Sequence, residues 1–448
     1  MEDTIVGISS SLGIGAISII RMSGKESFEI VNKIFTQNIL NVDSHTIHYG
    51  HIKENNKLID EVLVSVMKAP KTYTREDIIE INCHGGITTT NKILELLIKN
   101  GARLAEPGEF TKRAFLNGRI DLIEAEAIMD LINSKSESAR KLAINGLSGN
   151  VTLMIENLRN KISKILSNIE ANIDYPEYED ILVMTKELIK KEIIIIEAEI
   201  NKIIKESENS KIIKNGIDTV ILGKPNVGKS SLLNKLIGEE KAIVTNIPGT
   251  TRDFVEGTIV IDSVLFNIFD TAGIRETHNK IEQIGVSKSI NLINTSDVVI
   301  LVFDNNRKIQ KEDMQLLNLT KDKKRIIVIN KIDLESKLDK KLLSGDIVEI
   351  SALNNNIKPL KDKLIEMFNI DSINKKDPNY LFNTRQISTL KKTLNNILEL
   401  KKGIKNNLPV DILEIDIMEI WKLLGEIIGK NYNEELVEEI FKNFCLGK

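Results

Sequence analysis

Residues 223–230 limit what this chain can fold into more than any other stretch. The apolar run 217–222 leads directly into Gly223-Lys-Pro-Asn-Val-Gly-Lys-Ser230, and a leucine-rich run follows. This order predicts a strand, a phosphate-binding loop and a helix. The two glycines allow successive backbone N–H groups to point at phosphate oxygens, at the positive end of the helix. Lys229 is then placed to reach the β- and γ-phosphates, and Ser230 offers a hydroxyl to Mg²⁺.

Further motifs follow in the order that GTPases use. Thr250-Thr251 lies where a switch threonine would bind Mg²⁺ in the presence of a γ-phosphate. The apolar run 265–269 ends in Asp270-Thr271-Ala272-Gly273, whose aspartate can hold the metal through water. The run 325–329 ends in Asn330-Lys331-Ile332-Asp333. The Asp333 carboxylate can accept two N–H groups of guanine that adenine cannot offer together, which favours GTP strongly.

The last of these motifs is Ser351-Ala352-Leu353, whose backbone can contact the guanine carbonyl. The phosphate-binding loop and the motifs at 270–273, 330–333 and 351–353 each follow a predicted strand, and the carboxyl ends of parallel strands meet at one edge of a sheet. The sequence therefore predicts a GTP site on a Ras-like domain with a mostly parallel sheet.

One position departs from the usual pattern. Ile274 stands where many small GTPases have a glutamine that orients the attacking water. Because isoleucine cannot position water, another group must do so, and the nearest candidates are Arg275, Glu276 and Glu282. From the residues alone, Glu282 is more simply a solvated carboxylate at the start of a helix.

Composition excludes several classes of protein. A chain of 448 residues should hold two to four domains. Its net charge of −3 and pI near 6.1 argue against a general nucleic-acid-binding surface, so any RNA contact must be a local patch. Only two cysteines, Cys83 and Cys445, exclude a disulfide framework and disfavour a zinc or iron–sulfur site. The acidic start and the lack of a membrane-length apolar run predict a cytoplasmic protein without membrane association.

The first part of the chain alternates short apolar runs with turns. Runs at 17–20, 63–66 and 78–81 predict strands, and the pattern at 93–98 predicts a helix. These elements indicate an α+β domain over residues 1–118.

The rest of the chain outside the GTPase segment is dominated by helical periodicity. Apolar residues recur every three or four positions from 151 to 169, from 189 to 203, and again beyond 390. Since such stripes must pack on each other, we expect one helical domain that the GTPase interrupts. The predicted architecture is multidomain α/β, with the α+β domain at 1–118, helical parts at 119–210 and 375–448, and the GTPase domain at 211–374.

With these residues in view, the whole chain resembles the MnmE (TrmE) family of tRNA-modification GTPases. One three-residue segment and one single residue depart from the family pattern. Ser9-Ser10-Ser11 replaces a usual Ala-Thr-Pro, and Arg119 replaces a frequent lysine, which keeps the charge but changes the geometry. The segments that carry the resemblance are 73–86, 107–122 with Glu124-Ala-Glu126, 226–234, 249–253 and 444–448.

The resemblance implies that the N-terminal domain binds 5-formyl- or methylene-tetrahydrofolate and forms a homodimer. The matching folate ligands are Arg21, Glu80, Arg119 and Lys448. The cations Arg119 and Lys448 suit the glutamate carboxylates of folate, and Glu80 can accept hydrogen bonds from the pterin. Without the resemblance, residues 444–448 would be interpreted as a frayed terminus.

The resemblance also implies a K⁺ ion beside the phosphates, where other GTPases place an arginine finger. Glu282 then matches a catalytic glutamate that positions water, Mg²⁺ is held by Ser230 and Thr251, and two G domains meet across their nucleotides. The matching K⁺ positions are Asn226, Thr245, Ile247 and Thr250. The predicted GTP-binding residues are Asn226, Val227, Gly228, Lys229, Ser230, Ser231, Thr245, Asn246, Ile247, Pro248, Gly249, Thr250, Thr251, Asp270, Thr271, Ala272, Gly273, Asn330, Lys331, Asp333, Ser351, Ala352 and Leu353.

Finally, the resemblance implies a flavoprotein partner, MnmG, in a heterotetramer that modifies tRNA. The folate one-carbon unit would build an aminomethyl or carboxymethylaminomethyl group at C5 of the wobble uridine. Cys445 is then either a nucleophile or a structural residue. The alternative is a ribosome-assembly GTPase of the Era or Der type, which would carry a KH-like domain or a second G domain. This chain has one P-loop and no basic G-x-x-G module.

Overall fold

The computed structural model describes residues 3–11, 13–174, 185–239, 257–270, 291–368, 370, 383–431, 434–444 and 447. These residues divide into two compact units, which are described separately. Unit 1 comprises the described residues within Met1–Met129, Gly146–Glu197 and Thr389–Lys448, and unit 2 those within Asp130–Asn145 and Ala198–Ser388. The bounds of the four predicted domain segments stay predictions.

Unit 1 begins with a six-stranded sheet in the order β3-β4-β5-β2-β1-β6, in which only the β1–β6 pair is parallel. The predicted strands at 17–20, 63–66 and 78–81 lie within β2, β4 and β5, and the predicted helix lies within α2, so the α+β prediction is confirmed. The strands are β1 (Ile5–Ile8), β2 (Ile17–Ser23), β3 (Thr46–Glu54), β4 (Lys57–Met67), β5 (Ile78–His84) and β6 (Arg103–Leu104), and the helices are α1 (Ser27–Asn32), α2 (Ile87–Lys99) and α3 (Glu109–Leu116).

A buried arginine joins three separate parts of this first domain. Arg113 on α3 has no exposed side-chain surface. Its guanidinium donates to Asp3 Oδ1 at 2.8 Å, to Glu76 Oε2 at 3.2 Å and to Glu109 Oε1 at 3.1 Å. Because an unpaired buried charge is costly, these carboxylates fix the N-terminal segment and the loop around Glu76 against α3. The same loop carries Tyr73.

Four helices follow, and the long ones bury the predicted stripes. On α6, Val151, Ile155 and Ile162 are buried, as the three-four rhythm predicted. On α7, the isoleucines from Ile189 to Ile200 at that spacing are buried as well. The helix continues to Asn215. The four helices are α4 (Leu122–Asn133), α5 (Glu137–Leu147), α6 (Asn150–Asp174) and α7 (Lys186–Asn215).

Unit 2 contains a second six-stranded sheet, in the order β12-β11-β10-β7-β9-β8. Every pair is parallel except β8 with β9. All seven residues of β10 are buried, which is typical of a strand covered on both faces. The predicted mostly parallel sheet is confirmed. Its elements are β7 (Ile217–Leu222), α8 (Lys229–Glu239), β8 (Gly257–Ile261), β9 (Val264–Asp270), β10 (Val298–Asp304), α9 (Lys311–Leu319), β11 (Arg325–Asn330), β12 (Asp346–Glu349) and α10 (Lys358–Met367).

The chain then returns to unit 1 in three helices, α11 (Thr384–Lys405), α12 (Val410–Ile428) and α13 (Glu434–Lys442). Helix α12 packs against α6, and the Arg159 guanidinium of α6 lies 3.7 Å from the ring centroid of Trp421. Phe441 and Phe444 join Phe115 of α3 in one buried cluster. Helices α6 and α12 are therefore partners, although the whole second sheet separates them in sequence, as an inserted domain requires.

Candidate functional site

The loop after β7 has the backbone geometry that a phosphate-binding loop needs. Gly223, Asn226 and Gly228 all have φ angles in the range that favours glycine. A Cβ at Gly223 would lie 2.5 Å from the Val302 carbonyl oxygen, and one at Gly228 would collide with the Asn330 amide. Lys229 begins α8, and its Nζ donates to the carbonyl oxygens of Gly223 at 3.0 Å and of Lys224 at 2.9 Å. The loop therefore closes around the Lys229 ammonium.

The side chain of Asn330 connects this loop to the last predicted motif. Asn330 ends β11 and is only 2% exposed. Its Nδ2 donates to the Val227 carbonyl oxygen at 2.9 Å, and its Oδ1 accepts from the Ala352 amide at 3.0 Å. One buried amide thus fixes the distance between the phosphate loop and residues 351–353.

A second link to the phosphate loop involves Asp304, which the sequence analysis missed. Lys331 Nζ donates to the Asn226 carbonyl oxygen at 2.8 Å and to Asp304 Oδ2 at 2.6 Å. Asp304 ends β10, the strand beside β11, and is 5% exposed. The signal that could have found it is an acidic residue at the carboxyl end of a wholly apolar run. The Asp304–Lys331 pair therefore ties the phosphate loop, which follows β7, to the ends of β10 and β11.

The residues predicted to recognise guanine also lie together. Ser351 Oγ donates to Asp333 Oδ1 at 2.5 Å. The Ser351 and Asn356 backbones exchange hydrogen bonds at 3.3 and 2.9 Å, which shapes the loop that carries Ala352 and Leu353. The Asp333 carboxylate therefore lies beside the backbone that was predicted to contact the guanine carbonyl.

The structure describes only some of the other residues predicted for the GTP site. Ser230 and Ser231 lie in the first turn of α8, and Asp270 ends β9 opposite Ile221 of β7. The remaining residues fall outside the described part of the chain, so their roles stay predictions. They are Thr245, Asn246, Ile247, Pro248, Gly249, Thr250, Thr251, Thr271, Ala272, Gly273 and Glu282.

A second cluster of charged residues lies on the first sheet. Arg21 on β2 stands opposite Glu80 on β5, and their side chains form an ion pair at 2.7 Å. The guanidinium carbons of Arg21 and Arg119 lie 5.5 and 4.8 Å from the ring centroid of Tyr73. Tyr73 OH lies 2.9 Å from Thr111 Oγ1 of α3. Three of the four predicted folate residues are thus brought together around a tyrosine that was not predicted as a ligand.

The end of the described chain packs against this same domain. Ser9 Oγ donates to the Gly447 carbonyl oxygen at 2.9 Å. Phe444 is 8% exposed within the cluster that contains Phe115. For Phe444 and Gly447, the interpretation from the residues alone as part of a frayed terminus was therefore wrong. Lys448 lies outside the described residues, directly after Gly447.

Features that would indicate another class of protein are few. Burial raises the pKa of the Cys83 thiol, which makes it a poor nucleophile. Cys445 lies outside the described residues. Within the described part of the chain, His, Cys, Asp and Glu side chains form no group of three or more that could hold a metal ion. None of the described helices is both long and apolar enough to cross a lipid bilayer.

The sheet of unit 2, with these loops at its strand ends, defines a P-loop GTPase. Comparison with known proteins extends this assignment to the whole chain. Residues 4–119 match the family model described as GTP-binding protein TrmE N-terminus, and residues 122–445 match the MnmE helical domain. The chain belongs to the MnmE family of tRNA modification GTPases. This confirms the resemblance, and the Era or Der alternative is not retained.

Relatives named tRNA modification GTPase MnmE match along their full length. One from Lactococcus lactis subsp. lactis is 47% identical over all of this chain and 98% of its own. One from Bacillus subtilis is 44% identical over 100% of both chains. Among solved structures, Aquifex aeolicus Era bound to GDP and AlF₄⁻ is 27% identical over 40% of this chain and 66% of that chain, with a TM-score of 0.27. The family assignment rests on the full-length relatives and on the two family models.

We expect Asn330→Ala to weaken GDP binding at least about tenfold, or roughly 1.4 kcal/mol. The substitution leaves the Val227 carbonyl and the Ala352 amide without their buried partner, at a cost of about 1–3 kcal/mol for each. Titration with a fluorescent GDP measures the affinity, and circular dichroism verifies the fold.

Asn318→Ala is the matched control, because Asn318 is an exposed asparagine on α9 of the same unit. Its GDP affinity should equal that of the unmodified protein. Equal affinities for all three proteins would show that Asn330 does not organise the site.

Proposed function

We propose that this GTPase modifies C5 of the wobble uridine in certain tRNAs, with a tetrahydrofolate one-carbon unit as the carbon source. It would do so as a homodimer, in a heterotetramer with a flavoprotein partner of the MnmG type. The observation that carries the proposal is that one chain of this family holds two separate clusters: a phosphate loop linked to a guanine-recognition loop, and a cationic cluster around Tyr73.

In the first cluster, each residue has a role that suits GTP hydrolysis. Lys229 neutralises the β- and γ-phosphates, and Asp333 accepts the guanine N–H groups. Asn330 and the Asp304–Lys331 pair keep the loops between these groups from moving apart. Gly223 and Gly228 take φ angles that L side chains rarely adopt, and this lets the backbone turn so that its N–H groups can point at phosphate oxygens.

Two cations complete this site in the proposal. Ser230 and Thr251 would hold Mg²⁺, and the K⁺ ligands would be Asn226, Thr245, Ile247 and Thr250. When bound, the two cations offset the negative charge on the phosphates. Glu282 would orient the attacking water, the task that Ile274 cannot perform. Of these residues, the structure describes Asn226 within the phosphate loop and Ser230 in the first turn of α8.

We expect GTP hydrolysis to be at least about tenfold faster in KCl than in NaCl, equivalent to roughly 1.4 kcal/mol of transition-state stabilisation. K⁺ would supply the positive charge that an arginine finger supplies elsewhere. Steady-state phosphate release, at equal ionic strength in the two salts, measures the effect. Equal rates would contradict the K⁺ assignment.

The variant Asn226→Gly sharpens this test, because glycine tolerates the same φ angle and the substitution removes only the side chain. It should lose most of the advantage of KCl over NaCl. Ser263→Gly is the control, since Ser263 has φ +68° in the same unit but lies in the turn between β8 and β9, outside both nucleotide-binding loops. It should keep the full advantage.

In the second cluster, the residues fit a folate. Arg119 supplies positive charge for the glutamate carboxylates, and Tyr73 supplies an aromatic surface beside the guanidinium groups of Arg21 and Arg119. The ion pair with Arg21 orients the Glu80 carboxylate, which can accept hydrogen bonds from the pterin. Lys448 would add a further cation. When bound, the folate supplies the one-carbon unit.

We expect Arg119→Met to weaken binding of 5-formyl-tetrahydrofolate at least about tenfold. Methionine keeps an unbranched side chain without the guanidinium and so loses a charge-assisted hydrogen bond, worth about 1.5–3 kcal/mol. Isothermal titration calorimetry measures the affinity. The control is Arg75→Met, because Arg75 NH1 donates to the nearby Asn117 carbonyl oxygen at 2.9 Å but does not lie on the Tyr73 ring among the described contacts. A similar loss in both variants would contradict the assignment of Arg119.

Cells without this protein should lack the C5 substituent on wobble uridine, and mass analysis of tRNA nucleosides would detect the loss. The unmodified gene and Glu276→Ala should restore the substituent, whereas Glu282→Ala should not, because Glu282 is the proposed water-orienting residue. A normal nucleoside profile in the deletion strain would refute the proposed function. Restoration by Glu282→Ala would refute only the role of that glutamate.

A further inference from the structure

A groove lined by lysines lies between the first half of α7 and the second half of α11, both within unit 1. Its volume is about 820 Å³. Five lysines line it against two glutamates, Glu187 and Glu399, so the lining has an excess of positive charge in a protein whose net charge is −3. The lysines of this lysine groove are Lys186, Lys190, Lys401, Lys402 and Lys405.

The state of these lysines favours an external anion. Lys402 pairs with Glu399 at 2.7 Å, but the two side chains are 67% and 63% exposed, so the pair is weak. Among the described residues, Lys190 and Lys405 have no hydrogen-bond or ion-pair partner. Each wall of the groove therefore has an ammonium group that can pair with an external anion: Lys190 on α7 and Lys405 on α11.

Two further lysines are held in place. Lys186 Nζ donates to the carbonyl and the side-chain oxygens of Asn407 at 3.0 and 2.6 Å, which ties α7 to the end of α11. Lys401 pairs with Glu197 at 2.7 Å. These contacts fix the width of the groove, so its two rows of cations have a defined separation.

The arrangement fits a linear polyanion. Lys186 and Lys190 are four residues apart on α7, and so are Lys401 and Lys405 on α11, which places each pair about 6 Å apart along its helix. Asn395 also lines the groove, and asparagine amides are common donors to phosphate and sugar oxygens. A flat lipid surface cannot contact both walls of a concave groove at once.

We propose that the lysine groove binds the phosphodiester backbone of an RNA strand. The identity of that RNA as tRNA rests on the proposed function. The contact is to phosphates rather than to bases, so it is independent of sequence and depends strongly on salt. It accounts for RNA binding by an acidic protein, because the positive charge is confined to one surface.

The test compares two double variants of the full chain with the unmodified protein. Lys190→Glu/Lys405→Glu reverses the two lysines that lack partners in the described chain. Lys164→Glu/Lys422→Glu is the control, since it changes the net charge equally at exposed lysines of α6 and α12 outside the groove. Filter binding measures the affinity for an unmodified tRNA transcript over a range of KCl concentrations.

The groove variant should bind the transcript at least about tenfold more weakly at low salt, and the slope of log K against log salt should be smaller by roughly 1.4–1.8. The control should keep the original slope, and both variants should keep the RNA-independent rate of GTP hydrolysis.

An unchanged slope in the groove variant, or an equal loss of tRNA affinity in both variants, would overturn the proposal. So would unchanged tRNA affinity together with lost binding to phosphatidylglycerol vesicles. The nucleoside profile of the deletion strain tests the proposed function separately, because filter binding reports RNA affinity alone.

Discussion

The two hydrogen bonds of the Asn330 side chain are the constraint on which the nucleotide site depends. They join loops that follow different strands, and they do so from a position that water barely reaches. In such a place a hydrogen bond is costly to lose, so the phosphate loop and the guanine-recognition loop behave as one piece. The Asp304–Lys331 pair adds a second tie to the same loop. A parallel sheet supplies the frame, because it brings all of these strand ends to one edge.

Much of this arrangement was predictable from the sequence, because it is encoded locally. The motifs follow apolar runs, and a buried parallel strand needs little more than such a run. Asp304 and Tyr73 were missed because their roles are not encoded locally. Asp304 pairs with Lys331, and Tyr73 contacts Arg21 and Arg119, which are all distant from them in sequence. The tail that carries Phe444 was misjudged likewise, because five residues alone do not reveal the aromatic cluster into which Phe444 packs.

The protein uses positive charge in two contrasting ways within unit 1. Arg113 is buried among Asp3, Glu76 and Glu109, where its value lies in fixing the chain segments that meet there. The lysines between α7 and α11 remain in contact with water, where pairs between side chains contribute little to stability. Charges of the first kind specify the fold, and charges of the second kind remain able to attract a partner. An overall charge near zero conceals this division.

The cluster of Phe115 with Phe441 and Phe444 has a consequence for synthesis on the ribosome. Helix α3 emerges early, but the aromatic rings that cover it emerge only after the second sheet and the helices that follow it. Domains generally fold as units in the order in which they are made, so the first domain must wait with an exposed apolar surface while the GTPase domain folds. During that interval the nascent chain presents a surface suited to a chaperone, and the interval ends when the last helix docks.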